Sequence, residues 1–297
     1  MANFELIKPS VERIDEKDNL KRIELAGRVC YKSEKKITDE STLDFCTKIL
    51  QRGHTSVLEH SNVIVKVPYY IGGLILDAMT MYRLVSKKKS MLYVQTAPSG
   101  WVISGNMRAW YETLKIGSET FTFAGDPILD VNTCEDLTPY VVQECELTDA
   151  ERQIHSRITL RITCDRGVSH EIVRHRVMSF SQESTRYVNY GKRGFVFVEP
   201  WWWDSGDNRR NEILLGSMDY SAKAYEALIA DGASPQLARA VLPNMIKTEV
   251  VVTATPEQWE AFLRLRLSKA AHPDMQRVAR LVLEALGDDV EVQDENH

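Results

Sequence analysis

Arg174-His175-Arg176-Val177-Met178-Ser179-Phe180-Ser181-Gln182-Glu183-Ser184-Thr185-Arg186-Tyr187 is the stretch on which the reading of this chain turns. It holds three arginines, one histidine and three serine hydroxyls. The planar donor fork of arginine matches phosphate oxygens, and hydroxyls beside it offer both donors and acceptors. This is the make-up of a pocket for a small phosphorylated ligand. The segment 168–178, after the turn Asp165-Arg166-Gly167, reads as a helix, and 180–187 as a loop. Helical residues two apart face about 200° from each other. Arg174 and Arg176 then serve ligands together only where the helix lies between two sites or where subunits meet. A site assembled from more than one chain is one reading. An exposed helix in which Glu171 pairs with Arg174 or His175 is the other.

Working outward, residues 154–163 alternate apolar and polar side chains, the signature of a half-buried strand. Upstream, Leu20, Ile23 and the run 25–29 give a helix over 19–31. A second helix is capped by Thr38 or Asp39 and stopped by Gly53. Val63 to Val67 reads as a strand ended by Pro68. Segment 71–150 breaks this pattern and reads as an inserted α/β segment within a single domain spanning 1–297. It contains the basic run Lys87-Lys88-Lys89, which reads as a solvated face, strands near Leu92 and Val102, a helix over 106–114 and a polar, acidic stretch from 125 to 147. Downstream come a strand over 195–198 closed by Pro200, Trp201-Trp202-Trp203 as core or rim packing, and a long helix over 211–230 ended by Gly232. Ser234-Pro235 reads as a helix start, and 248–253 as a strand. A helix from Thr255-Pro256 carries Trp259, Phe262, Leu263 and Leu265 on its face. A last helix runs from Pro273 to Leu286, and the acidic tail 288–297 reads as frayed. Helices and strands mix without regular βαβ alternation, so the class is α+β, a mixed sheet with long helices.

With 297 residues and 43% apolar content the chain can build a substantial core, and its net charge of −5 argues against bulk nucleic-acid binding. The five cysteines are Cys30, Cys46, Cys134, Cys145 and Cys164. They form no C-x-x-C pair and suggest reduced thiols, neither a zinc ribbon nor a disulfide framework. No basic-then-apolar leader begins the chain, and no apolar run nears the roughly 20 residues that span a bilayer. A soluble, cytoplasmic protein with no membrane partner is expected. Walker, Rossmann and nucleophile-elbow patterns are absent.

A second motif, Gly53-His54-Thr55-Ser56-Val57-Leu58-Glu59-His60, falls between a helix and a strand. His54, Glu59 and His60 suit acid–base groups, flavin contacts, metal ligands or structural histidines. No further ligand set has convincing metal spacing, so no metal is expected.

Arg174-His175-Arg176 followed by Ser184 and Arg186-Tyr187 resembles the signature of the flavin-dependent thymidylate synthases of the ThyX type. Gly53-His54 through Glu59-His60 resembles that family's upstream element, and Ala26-Gly27-Arg28-Val29-Cys30-Tyr31 its first-helix motif. Ala240-Val241-Leu242-Pro243-Asn244 and Leu265-Arg266 resemble its C-terminal blocks. The resemblance implies a ThyX-like α+β fold and a homotetramer with active sites at subunit interfaces. It implies conversion of dUMP to dTMP with FAD as redox carrier, methylenetetrahydrofolate as carbon donor and NADPH as reductant, a hydride passing through FAD and no enzyme nucleophile. Carried over by motif, Cys30, His54, Ser56, Glu59, Arg174, His175 and Arg176 contact the flavin. Glu171, Arg174, Gln182, Glu183, Ser184, Thr185, Arg186 and Lys247 contact the nucleotide. Ser184 positions and polarises the substrate, and Arg186 stabilises charge developing on the uracil carbonyl. Two positions depart from the family pattern. Glu249 and Gln276 stand where many members carry phosphate-binding arginines, leaving Lys247, Arg277 and Arg280 as substitutes. Another pyrimidine nucleotide, dCMP or UMP, is therefore a rival substrate for methylation or hydroxymethylation, and a nucleotide- or RNA-binding module is a more distant alternative.

Overall fold

The computed structural model describes residues 3–86, 91–117, 121–123, 125–126, 128–129, 135–203, 206 and 208–290. In chain order its elements are β1 (Phe4–Ile7), β2 (Ser10–Arg13), α1 (Asn19–Tyr31), α2 (Ser41–Gln51), β3 (Val63–Val67), α3 (Tyr69–Ser86), β4 (Tyr93–Ala97), β5 (Gly100–Gly105) and α4 (Met107–Gly117). Next come β6 (Phe121–Thr122), β7 (Glu135–Asp136), α5 (Asp149–His155), β8 (Ile158–Asp165), α6 (Arg166–Ile172), β9 (Ser179–Gln182), α7 (Tyr190–Arg193) and β10 (Phe195–Val198). The last are α8 (Asn208–Ala230), α9 (Pro235–Ala238), β11 (Lys247–Ala254), α10 (Pro256–Arg266) and α11 (Pro273–Leu286). The class is α+β, as expected. Among the described residues, no helix is long and apolar enough to cross a membrane.

The central sheet is antiparallel in the order β2-β8-β11-β9. Side chains on a strand alternate between faces, and here the two faces differ in chemistry. Val250, Val252 and Ala254 join Ile158, Leu160 and Ile162 in one apolar cluster with Trp259, Phe262 and Leu263 of α10 and Val278 and Val282 of α11. Each such large side chain contributes roughly 1.5–3 kcal/mol when fully buried. The opposite face carries Lys247, Glu249, Val251 and Thr253, paired with Thr163, Arg161 and Thr159 of β8 and with Ser181 and Ser179 of β9. Only Val251 of this set joins the apolar cluster that includes Ile23, Ala26 and Val29 of α1. This polar face, roofed by α1, positions the site.

Residues 63–155 form a compact excursion with its own sheet, β3-β5-β4, flanked by α3 and α4. The excursion is pinned at its base. Asn62 donates through Nδ2 to the His155 carbonyl at 2.9 Å, while its backbone pairs reciprocally with the Asn19 side chain at 2.8 and 2.9 Å. A third apolar cluster, under α8, carries the parallel pair β1–β10.

Several expectations need correction. The helix expected over 168–178 ends at Ile172, so Arg174, His175 and Arg176 lie in turns, and the opposite-face argument from helical geometry lapses. Residues 179–182 are strand β9, and the loop begins only after Gln182. Ile154 and His155 close α5, and the strand begins at Ile158. Neither Thr38 nor Asp39 caps α2, which starts after Glu40 without a side-chain cap. Leu265 turns outward, 55% exposed. Trp201 is exposed and Trp202 and Trp203 are half-buried, which places the triplet at the rim. Gly287–Asp289 forms a 3₁₀ turn, and Val290 after it is buried. Residues 291–297, Cys134 and the run Lys87-Lys88-Lys89 lie outside the described residues.

Gly27 shows why the first-helix motif needs glycine. A Cβ there would sit 2.5 Å from Phe45 Cζ and 3.1 Å from Val57 Cγ1, and Phe45 is itself buried under the Arg28 guanidinium. Gly27→Ala is expected to destabilise the protein by about 1–3 kcal/mol through overpacking, outweighing alanine's better helix propensity of roughly 1 kcal/mol. The shift of the urea midpoint measures it, and a midpoint at or above wild type refutes the packing account.

Candidate functional site

The arginine turn is built by a sharp stop. Asp165 caps α6 by accepting from Val168 N at 2.9 Å. After Ile172 the chain continues through i→i+3 contacts, Arg174 N to Glu171 O at 3.3 Å and His175 N to Ile172 O at 3.2 Å. Val177 then adopts φ 71°, a left-handed conformation that costs a β-branched residue on the order of 1–3 kcal/mol. The turn throws Arg174, Arg176 and Val177 to the surface and tucks His175 inward. Neither arginine makes a side-chain hydrogen bond or ion pair among the described residues. His175 lies 4.7 Å from the Phe262 ring.

Arg266 holds this turn, and sequence reasoning gave it no role. Its Nη1 pairs with Glu171 Oε2 at 2.6 Å, its Nη2 donates to the Glu171 carbonyl at 2.9 Å, and its Nε donates to His175 Nε2 at 2.9 Å. Glu171 therefore pairs with Arg266, not with Arg174 or His175 as the exposed-helix alternative required. Burial, then the neighbouring Arg266 charge, lowers the His175 pKa to about 4, so the ring is neutral at pH 7 and accepts the bond.

The loop beyond β9 meets the end of α1. Ser184 N donates to the Cys30 carbonyl at 3.0 Å, Tyr187 lies 5.4 Å from the Tyr31 ring, and the Tyr31 hydroxyl is 3.1 Å from His54 Nδ1. Cys30, His54 and Ser184 are thus gathered at one edge. Burial raises the Cys30 thiol pKa, only partly offset by a hydrogen bond with Ser181, which favours the protonated thiol. Gln182 is engaged structurally, donating to Ser169 Oγ at 2.8 Å and Thr248 Oγ1 at 3.3 Å. Thr185 accepts from Arg239 at 3.4 Å, and Arg186 Nε donates to Gln236 at 3.0 Å.

Behind the loop lies an ion cluster on the polar sheet face. Glu249 is gripped by Lys32, Lys247 and Arg161. Glu183 pairs with Lys247 at 3.0 Å and lies 3.7 Å from Lys32, and Glu34 pairs with Arg161 at 3.2 Å and Lys32 at 3.3 Å. Burial pushes the Glu249 carboxyl up, but the bonds and charges of Lys247 and Lys32 outweigh it and leave the pKa at about 2. Burial also pulls Lys247 down, and Glu183 and Glu249 outweigh that, holding it above its ordinary value. Lys32, which reaches the cluster from a left-handed residue (φ 49°) at the end of α1, was missed from sequence.

The other upstream-motif residues diverge. Ser56 is exposed like His54, while His60 is fully buried with Nδ1 2.8 Å from Thr253 Oγ1 and, by burial and then the Arg22 charge, a pKa lowered to about 3. Glu59 pairs with Arg108 of the excursion at 2.6 Å. It lines a cavity of about 330 Å³ together with Val177 and Ser179 of the arginine turn. Gln276 donates to the Ala271 carbonyl at 2.8 Å, and Arg277 reaches the Glu199 carbonyl at 2.9 Å. Of Lys247, Arg277 and Arg280, only Lys247 contacts the 182–187 loop among the described residues.

The family described as thymidylate synthase complementing protein matches residues 13–99 and 150–290. The chain belongs to this family. It is 32% identical over 155 residues to the flavin-dependent thymidylate synthase of Geobacter sulfurreducens, covering 52% of this chain and 66% of that one. It is 35% identical over 150 residues to the enzyme of that name from Mycobacterium avium, covering 45% and 59%. It is 34% identical over 143 residues to a probable flavin-dependent thymidylate synthase of Mycobacterium phage D29, covering 44% and 60%. The matched part is less than two thirds of each relative's own length. A crystal structure of ThyX from Helicobacter pylori with FAD and dUMP overlays with a TM-score of 0.37 at 21% identity, over 45% of this chain and 68% of that one.

The ion cluster predicts a pH signature. The Glu249 pKa falls from 4.5 to about 2 on folding, so its stabilisation is full above about pH 4.5 and drains away as pH falls toward 2. Glu249→Gln should lower stability at pH 7 by about 3 kcal/mol, the cost of breaking a buried pair. Its deficit against wild type should narrow between pH 4.5 and 2 in chemical denaturation. A pH-independent deficit would contradict the assignment.

Proposed function

We propose that the chain is a flavin-dependent thymidylate synthase that methylates dUMP to dTMP, using FAD, methylenetetrahydrofolate and NADPH. The observation that carries this reading is the meeting of three sequence-distant motifs at one edge, where Ser184 bonds Cys30 and Tyr31 bonds His54. Arg174 and Arg176, exposed and without partners among the described residues, fit the phosphates of FAD. When bound, FAD supplies the redox chemistry. The chain's own residues bind and orient. Arg174, His175 and Arg176 with His54, Ser56, Glu59 and Cys30 form the flavin side. The loop Gln182, Glu183, Ser184, Thr185 and Arg186, with Glu171 and Lys247, forms the nucleotide side. Ser184 holds and polarises the pyrimidine, and Arg186 faces the carbonyl on which negative charge develops. The protonated Cys30 thiol is consistent with chemistry that needs no enzyme nucleophile.

The surface position of the arginines and Val177 is compatible with a homotetramer that closes the site at subunit interfaces. Segment 71–150 is read as an insertion; the family match skips residues 100–149 but includes 71–99. A rival reading keeps the flavin and takes UMP or dCMP. All three nucleotides carry the same 5′-phosphate, so the charge-matched Glu249 cluster does not choose among them, and parallel product analysis with dUMP, UMP and dCMP separates them.

Purified protein should be yellow or take up added FAD, and NADPH should bleach it faster with dUMP present. A protein that binds no FAD refutes the reading. Arg174→Ala should weaken FAD retention about tenfold or more, the worth of one charge-assisted contact. Ser184→Ala should keep the flavin and slow dUMP-dependent turnover by about a hundredfold. Equal flavin loss in both variants would overturn the division of roles.

A further inference from the structure

The cavity between the excursion and the arginine turn is lined by two guanidinium groups in different states. Arg108 is paired with two carboxylates. It pairs with Glu59 at 2.6 Å and through Nε with Glu112 at 2.7 Å, while the Tyr82 hydroxyl donates to the other Glu112 oxygen at 2.7 Å. Arg157 has no such partner. Its Nη1 donates to the carbonyls of Ile154 and Ser156 at 3.0 and 2.8 Å, and its guanidinium lies 4.6 Å over the Tyr93 ring. Among the described residues no carboxylate comes within ion-pairing distance. Burial lowers its pKa to about 10, so the group remains charged at neutral pH. Glu144, whose Oε1 accepts from Arg157 N at 3.2 Å, offsets part of this burial but forms no ion pair with the guanidinium, and a ligand that brings an anion into direct contact offsets the rest.

Two neighbours add donors of the same sense. The Gln258 amide oxygen accepts from Thr255 N at 3.0 Å, which turns its amide nitrogen toward Tyr93, where it donates to the hydroxyl at 2.8 Å. The Tyr93 proton is left without an acceptor among the described residues. Asn106 accepts from Ala109 N at 2.8 Å at the start of α4, leaving its own Nδ2 hydrogens likewise unengaged. The groups left unengaged on Arg157, Tyr93 and Asn106 are donors.

We propose that this cavity binds an anionic oxygen group, a phosphate or a carboxylate, of a ligand that also touches the arginine turn, with Arg157 as counter-ion and Tyr93 and Asn106 as donors. The excursion thereby supplies a wall of the functional site. The choice of ligands rests on the flavin reading, under which the anion belongs to FAD, to the folate glutamate or to the nucleotide. About 330 Å³ is enough for such a group and part of the ring beside it.

The test is to titrate wild type, Arg157→Gln and Tyr93→Phe with FAD, methylenetetrahydrofolate and dUMP separately. Arg157→Gln should lose about ten- to hundredfold affinity for a single one of the three, which identifies the source. Tyr93→Phe, which removes one oxygen, should lose about two- to tenfold for the same ligand. Unchanged affinity for all three, or an equal loss for all three, overturns the proposal. If Arg157→Gln does not fold, Tyr93→Phe decides alone. Should wild type bind no flavin, the enzymatic reading fails by itself. Inorganic pyrophosphate and free glutamate then become the probes. A rise in Tm with either in wild type that is absent in Tyr93→Phe supports the anion site, and no rise in wild type refutes it.

Discussion

The interaction on which the rest depends is the burial of the Glu249 carboxylate among Lys32, Lys247 and Arg161. An ionised carboxylate in the interior costs several kcal/mol unless its charge is matched and its lone pairs are filled. Lys247 lies two residues away on the same strand face and Arg161 on the neighbouring strand, so the sheet supplies two cations by register alone. The third comes from outside the sheet. Lys32 reaches Glu249 because α1 ends in a left-handed residue, and Arg193 donates to its carbonyl. That geometry fixes the last turn of α1 over the sheet, which in turn places the Cys30 carbonyl under Ser184 N and the Tyr31 ring against Tyr187. Glu183, the residue before Ser184, is held by Lys247. The loop is therefore anchored at Glu183 by the same charges that make Glu249 tolerable, and beyond its serine by the Tyr31–Tyr187 contact.

This arrangement is possible because the central strands sort their side chains by parity. In β11 the apolar Val250, Val252 and Ala254 face α10 and α11, while Lys247, Glu249 and Thr253 face α1 and the turn before β3. A slip of one residue would exchange the two faces, putting Glu249 into the apolar cluster and Val250 under the loop. Register, core and site are one constraint. The Thr159–Thr253–His60 chain, with contacts of 2.8 Å each, extends the same face.

What was legible in the sequence depends on how local its causes are. Helices α1 and α11 begin and end where spacing placed them, because Asp18 accepts from Leu20 and Lys21 and Pro273 opens a strongly amphipathic stripe. The end of α6 was not legible. Its apolar spacing runs on past Ile172, and the left-handed Val177 that reverses the chain is a residue type that rarely signals such a turn. Helix α5 carried a signal that was overlooked, the capping box of Thr148 and Glu151. The alternation after it drew the strand back into that helix. Family motifs named Cys30, His54 and Ser184, which the structure gathers at one edge. Lys32, Arg108 and Arg266, which hold neighbouring residues in place, act across 217, 49 and 95 positions of sequence; no local pattern marks Lys32 or Arg108, and the Leu265-Arg266 block named Arg266 without its partner.

The same bookkeeping of charge partners separates the arginines that hold the fold from those free to meet a ligand. Arg161, Arg108 and Arg266 each bind carboxylates and are unavailable to oxyanions without breaking a pair. Arg174 and Arg176 at the surface and Arg157 in the cavity form no ion pair with a carboxylate among the described residues. A glutamate facing a phosphate is repulsive only if its charge is unmatched. Glu249 is matched, since Glu34, Glu183 and Glu249 are balanced by Lys32, Lys247 and Arg161. Restoring an arginine at position 249 alone would gather four cations against two carboxylates and destabilise the loop it was meant to serve. The departure from the family pattern at Glu249 is therefore inseparable from Lys32 and Lys247, and the six groups are better regarded as one unit than as a single substitution.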